Sequence, residues 1–149
     1  MNNEAQKRPF VKIGINVFVF KKNKILLGRR IGKVGQGTWC LPGGKFEFGE
    51  SLNEAAKREL KEETSLSANL KLWQIINAPR KKTHYVHFNF LAKKWRGEPK
   101  IAEPDKFSAW KWFDLKRPPK NIFFGHRKFI PAYINKIHFV DRRKNNKLL

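Results

Sequence analysis

Cysteine, acidic side chains and long apolar runs are all scarce in this 149-residue chain. One cysteine, Cys40, excludes an internal disulfide and any multi-cysteine zinc site. No stretch approaches the ~18 consecutive apolar residues of a membrane-spanning helix. The first ten residues, MNNEAQKRPF, lack the apolar run of a secretory signal. The expectation is therefore a cytoplasmic chain without a membrane partner. No internal repeat and no linker between two cores is visible, and the length suits one domain with a buried core.

The shortage of acid is the oddest bulk feature. Only 12 Asp and Glu face 33 Lys and Arg, a formal net charge of +21. Such a surface attracts polyanions, nucleotides and RNA among them; a proteome that favours lysine is the bland alternative. Charge of this kind bears on partners and solubility, and leaves a monomer and a homodimer equally open. Yet six of the 12 acids, Glu47, Glu50, Glu54, Glu59, Glu62 and Glu63, crowd into 17 residues. In so basic a chain, a local acidic knot needs a cause.

Residues 1–9 read as a polar arm and 139–149 as a basic tail. Val11–Phe20 alternates, with Val11, Ile13, Ile15, Val17 and Val19 on one face, which predicts a strand. Lys21–Lys24 is a polar turn into a second strand from Ile25, a hairpin. Pro42-Gly43-Gly44 stops the short apolar piece Trp39–Leu41. Ser51 with Glu54 three residues later is a capping box, so a helix should run from about Leu52 to Thr64. Strands are expected at 70–77, 84–91 and 107–113. A closing helix is expected over 126–137, kinked or split by Pro131.

On the predicted helix, successive residues turn by ~100°. With Glu59 at the origin, Glu63 falls near ~40° and Glu62 near ~300°. Leu52, Ala55, Ala56 and Leu60 share that side, whereas Asn53, Glu54, Lys57 and Lys61 lie opposite. Three carboxylates thus occupy the stripe that should face protein. Like charges at i,i+3 and i,i+4 repel, and only Arg58 is placed to neutralise part of the group. Desolvating carboxylates without partners costs several kcal/mol each or forces protonation. A hard divalent cation removes that cost, because carboxylate oxygens suit Mg2+. The glycine pair just upstream lets the backbone approach a ligand closely.

These residues also spell a known pattern. Gly44, Glu50 and Arg58-Glu59-Leu60-Lys61-Glu62-Glu63-Thr64-Ser65-Leu66 resemble the Nudix box, G-x5-E-x7-R-E-U-x-E-E-x-G-U, with U a bulky aliphatic. Eight of its nine defining positions agree over 23 residues. Ser65 stands where the family has the glycine that ends the helix, a departure that touches helix termination rather than metal chemistry. GTWCLPGGKFEFGES is similar to the box approach of MutT-type nucleoside triphosphate pyrophosphohydrolases, and THYVHFNF and EPDKFSAWKWFD extend the likeness over roughly residues 11–130.

The resemblance implies a single-domain α/β/α sandwich with a mixed β-sheet. It also implies hydrolysis of a nucleoside diphosphate linked to another group, with Mg2+ or Mn2+. Glu59, Glu62 and Glu63 would hold the metal, Glu59 doubling as the favoured general base oriented by Arg58. Glu50 would assist the metal or the structure, and the Gly44 carbonyl would be a further ligand. Arg29 and Arg30 are candidates to hold phosphates, and Phe124 to stack on a base, with core anchoring as its alternative. Trp110 and Trp112 suit a core or sheet wall, and Glu103 is a candidate extra carboxylate. His84 and His87, three apart on a strand, face opposite ways and make no metal pair. Three functional readings follow: a MutT-like triphosphate pyrophosphohydrolase, a hydrolase of RNA 5′ ends or nucleotide sugars, and a non-catalytic nucleotide-binding module.

Overall fold

The computed structural model describes residues 9–141. The expectations of a polar arm before Pro9 and of a basic tail after Asp141 fall outside the described residues.

Two sheets form the middle layer. In the first, β1 (Lys12–Phe18) runs parallel to β7 (His84–Arg96) and antiparallel to β5 (Gly43–Lys45). β6 (Ser67–Pro79) pairs antiparallel with β7, and β9 (Phe139–Asp141) lies parallel on β6. The order is β5-β1-β7-β6-β9, a mixed sheet. In the second, β3 (Lys24–Arg30) is flanked by β2 (Phe20–Lys21), β4 (Trp39–Cys40) and β8 (Phe107–Asp114).

A core lies on each side of these sheets. Ile15, Val17, Val19 and Leu26 pack with Ala55, Ala56 and Leu60 of helix α1 (Leu52–Thr64). Phe18, Ile25, Leu27 and Leu91 pack with Phe129 and Ile130 of helix α2 (Phe129–Ile134). This is the expected α/β/α sandwich, with both faces of β1 buried. Among the described residues no helix is long and apolar enough to cross a membrane.

Several expectations need correction. The strand expected over 11–20 breaks near Val19, and its last residues pair with β3 in the other sheet. Val11 and Ile13 stay substantially exposed, because the sandwich begins only at Ile15. The apolar piece does stop before Pro42, with β4 ending at Cys40, but Gly43 and Gly44 are not a turn: they form an edge strand, since a residue without Cβ alone fits there. A Cβ on Gly43 would stand 2.0 Å from the Ile15 carbonyl oxygen. Residues 139–141, expected in the tail, are a strand that covers β6. The closing helix is confined to 129–134, and Pro131 sits in its first turn, where a missing N–H is tolerated.

Candidate active site

Helix α1 begins as its sequence requires. The Ser51 hydroxyl accepts from the Glu54 amide at 3.1 Å, and Glu54 accepts from the Ser51 amide at 2.7 Å. The helix ends at Ser65 in a left-handed conformation, φ 67°, ψ 6°. That is the conformation the family's glycine serves, so the departure at Ser65 touches helix termination as expected.

The carboxylates divide along the helix. Glu59 is 7% exposed and Glu63 3% exposed, whereas the Glu62 side chain is 48% exposed. Glu62 therefore leaves the inward stripe to which its angle assigned it and lies on its open edge. Arg58 organises the group. Its guanidinium donates twice to Glu50, to Glu59 Oε1 at 3.0 Å, to Glu62 Oε2 at 3.2 Å and to the Lys45 carbonyl at 3.0 Å. Both Glu50 oxygens are engaged, one also accepting from the Glu47 amide, which favours the structural of its two expected roles. Arg58 in turn holds the Glu50 carboxyl below the ordinary range.

Glycine lets the buried carboxylates reach backbone. A Cβ on Gly44 would stand 2.4 Å from the Glu59 carboxyl carbon. The Gly43 amide donates to Glu63 Oε2 at 2.9 Å. Trp110, expected as a wall, donates its indole N–H to the Glu63 carbonyl at 3.1 Å and ties β8 to the end of α1. Burial raises the Glu59 carboxyl, against the pull of Arg58. Burial raises Glu63 well above the usual range, and Glu59 and Glu103 reinforce it by repulsion. Glu103 thus joins the cluster: Oε2 pairs with Lys106 at 2.7 Å, and Oε1 is buried with no hydrogen-bond partner.

This donor set fits a divalent cation: hard oxygens, two carboxyls that burial pushes toward protonation, and one orphaned buried oxygen. Among the described residues no three acidic, cysteine or histidine side chains yet converge on one point.

Across Gly43 and Gly44 opens a cavity of about 470 Å3. Tyr85, Phe123 and Phe124 line it, and Lys12, Arg30, Lys45 and Arg80 supply charge without any acid. Arg30 stacks on Phe123, 4.1 Å from the ring centroid, and Arg80 stacks on Phe124 at 4.6 Å. The sequence-derived pair Arg29 and Arg30 is split. Neighbours on a strand point to opposite faces, so Arg29 is exposed near the Gly37 turn and does not line the cavity. Phe124 does line it, which sets aside the core-anchoring alternative.

Sequence reasoning missed the polar floor of this cavity. Gln74 Nε2 faces the carbonyls of Phe129 at 3.3 Å and Ile137 at 3.4 Å, which can only accept. Gln74 Oε1 therefore accepts from Asn89 Nδ2 at 3.0 Å, and Asn89 Oδ1 from Asn16 Nδ2 at 2.8 Å. The second Asn16 N–H reaches His87 Nδ1 at 3.2 Å. The His87 proton must then sit on Nε2. Burial and Arg80 lower the His87 pKa to about 4, so the ring is neutral. Two cavity-lining residues thereby acquire fixed polarity: His87 offers a donor at Nε2 and Asn16 an acceptor at Oδ1. The one available signal was Asn16, an amide at an inward strand position beside Phe18. His84 bonds instead to Asn77.

The NUDIX domain family matches residues 11–133. The ADP-ribose pyrophosphatase of Methanocaldococcus jannaschii is 34% identical over 125 residues, covering 82% of this chain and 72% of that protein. The oxidized purine nucleoside triphosphate hydrolase of Danio rerio is 34% identical over 110 residues, covering 69% of this chain and 66% of that protein. The crystal structure of a MutT NUDIX hydrolase from Burkholderia pseudomallei superposes with a TM-score of 0.77 at 28% identity, covering 82% of this chain and 97% of that one. The chain belongs to the Nudix family and is a MutT-like Nudix hydrolase.

Proposed function

We propose that this chain hydrolyses a phosphoanhydride bond in a nucleoside diphosphate linked to a further group, and that a nucleoside triphosphate, split to monophosphate and pyrophosphate, fits best. One observation carries the reading: the aromatic cavity and the carboxylate cluster share Gly43 and Gly44 as their common wall. A base held in the cavity has its phosphates directed at the glutamates.

The residues divide the work. Phe124 and Tyr85 offer faces for a base, and His87 Nε2–H and Asn16 Oδ1 address its polar edge. Arg30, Lys45 and Arg80 draw the phosphates. Hydrolases of this family generally use divalent metal ions. When bound at Glu59, Glu62, Glu63 and the Gly44 carbonyl, with Glu103 adding an oxygen, Mg2+ or Mn2+ supplies charge neutralisation and acidifies water. Arg58 holds Glu59 Oε1, which leaves Oε2 to accept the proton of the attacking water. Burial raises the Glu59 carboxyl, which makes it a stronger proton acceptor than an exposed glutamate.

The relative named ADP-ribose pyrophosphatase favours a second substrate, ADP-ribose, cleaved at the same kind of bond. The acid-free, four-cation rim of the cavity favours the more highly charged triphosphate. A panel of ordinary and oxidised nucleoside triphosphates and ADP-ribose, assayed with Mg2+ or Mn2+, decides. Pyrophosphate release from a triphosphate is the expected result. AMP and ribose 5-phosphate from ADP-ribose alone would transfer the assignment, and no turnover of any triphosphate, with Glu59→Gln matching wild type, would reject it.

A further inference from the structure

Four basic side chains have no part in the site above. Lys57 and Lys61 stand one turn apart on the outer face of α1, and Lys94 and Arg96 close the end of β7. Cross-strand register sets Asn69 beside Lys94 and Ser67 beside Arg96. With Arg58 they line a groove of about 780 Å3 whose wall contains no acid. Among the described residues none of the four enters an ion pair. The acids that could have served are committed elsewhere: Glu47, Glu50, Glu59 and Glu62 to Arg58, Glu54 to the Ser51 amide, and Glu103 to Lys106. Glu98, just past Arg96, is exposed and outside the wall. Lys57 and Lys61 repel at i,i+4, and the two strand cations add to that repulsion. A polyanion in the groove relieves it.

The shape and lining select the ligand. No aromatic lines the groove, so nothing there stacks a base. Its apolar members are only Leu66, fully buried, and Ala68, so it offers no surface for insertion into lipid. A concave row of cations, with Ser67 and Asn69 as neutral donors, matches successive phosphates. We propose that this groove binds single-stranded nucleic acid by its phosphodiester backbone, without regard to sequence. Arg58 belongs both to the groove wall and to the carboxylate cluster, so a bound strand lies across α1 from the candidate catalytic groups. The inference goes beyond the triphosphate reading, because it does not require the strand to be the substrate.

The test is fluorescence anisotropy with a labelled uridine oligonucleotide across a salt series. The full chain is compared with K57S/K61S/K94S/R96S and with a charge-matched control, K22S/K24S/K116S/R117S, at exposed positions that do not line the groove. The groove variant should bind at least about tenfold more weakly, and its slope of log K against log salt should shrink by about 2–3, given ~0.7 per phosphate contact for single strands. The control should keep most of the slope. Equal losses in both variants would mean that net charge, not the groove, holds the strand; an unchanged groove variant would end the proposal outright. Groove-dependent capture by phosphatidylserine vesicles with RNA binding unaltered would also overturn it. Triphosphate turnover, retained by the groove variant, shows that it is folded. Should wild type turn over no triphosphate, the functional reading fails and thermal melts of both variants report folding instead.

Discussion

The acidic helix and the aromatic cavity meet at Gly43 and Gly44, yet they are built in opposite ways. The first is local: Glu59, Glu62, Glu63 and Arg58 come from a single 13-residue helix, and Arg58 alone holds three glutamates. The second is drawn from β1, the end of β3, β5, the β6–β7 hairpin and the 123–126 turn, none of which forms it alone. The chemistry of bond cleavage is common to a class of substrates and can be carried by one spacing rule. The choice of ligand depends on surfaces that only tertiary structure brings together. The two regions should therefore fail differently when mutated.

The sharpest contrast is at Glu59. Glu59→Gln should cut kcat by about 10²–10⁴, the range for loss of a general base, with KM changed only a few-fold. Urea melts without divalent cation should show no loss of stability, because a buried charge has been removed. A kcat loss below tenfold would shift the proton-accepting role to another carboxylate.

Arg58 tests whether the acidic region is held together as a unit. Arg58→Lys keeps the charge but loses the fork that serves Glu50, Glu59, Glu62 and the Lys45 carbonyl together. Its side chain is 23% exposed, so the expected cost is about 2–3 kcal/mol of unfolding free energy. Millimolar Mg2+ should restore part of it by binding the folded state. A variant as stable as wild type would show that the carboxylates need no organiser.

The cavity should respond in affinity instead. Phe124→Ala should raise KM by roughly 5- to 100-fold, since one base stack is worth about 1–3 kcal/mol, with kcat within a few-fold. An equal drop in kcat would mean that the ring positions the phosphates as well as the base.

Legibility follows the same division. The capping box, both helix ends and the acidic stripe were readable because each rests on contacts three or four residues apart. The exposed position of Glu62 was not, because 48% exposure at a stripe edge depends on what packs opposite. The strand at Gly43–Lys45 carries no period to read, and two of its three residues are glycine. Arg29 was grouped with Arg30 by adjacency, although strand geometry sends neighbours to opposite faces. The relay from Gln74 through Asn89 and Asn16 to His87 spans three strands and was invisible as a pattern.

That relay gives the cavity a pH signature. The His87 pKa lies at about 4 in the folded chain and near ~6.5 unfolded. The unfolded chain therefore binds the extra proton as pH falls below ~6.5, and native stability drops until about pH 4 is passed. Wild type minus His87→Phe should show this as a difference of about 2 kcal/mol between pH 7 and pH 4.5. The difference is the measure to use, because the raised carboxyls of Glu59 and Glu63 act with the opposite sign in both proteins. A flat difference would place a second proton on native His87, at Nδ1, and undo the hydrogen bond that this nitrogen accepts from Asn16.

The smallest effect lies where the two regions are least connected. A left-handed residue other than glycine costs roughly 1–2 kcal/mol, and glycine gives back part of that through its greater freedom in the unfolded chain. Ser65→Gly should therefore stabilise the protein by about 0.5–1 kcal/mol, read as a rise of ~2–4 °C in Tm. The Ser65 amide, which donates to the Lys61 carbonyl at 2.9 Å, is retained in the variant. Turnover should not change, because Ser65 contributes only the backbone turn that follows Thr64. If turnover rose or fell with stability, the end of the helix would be setting the position of Glu63, and cap and carboxylate would form one mechanical unit rather than neighbours on a shared helix.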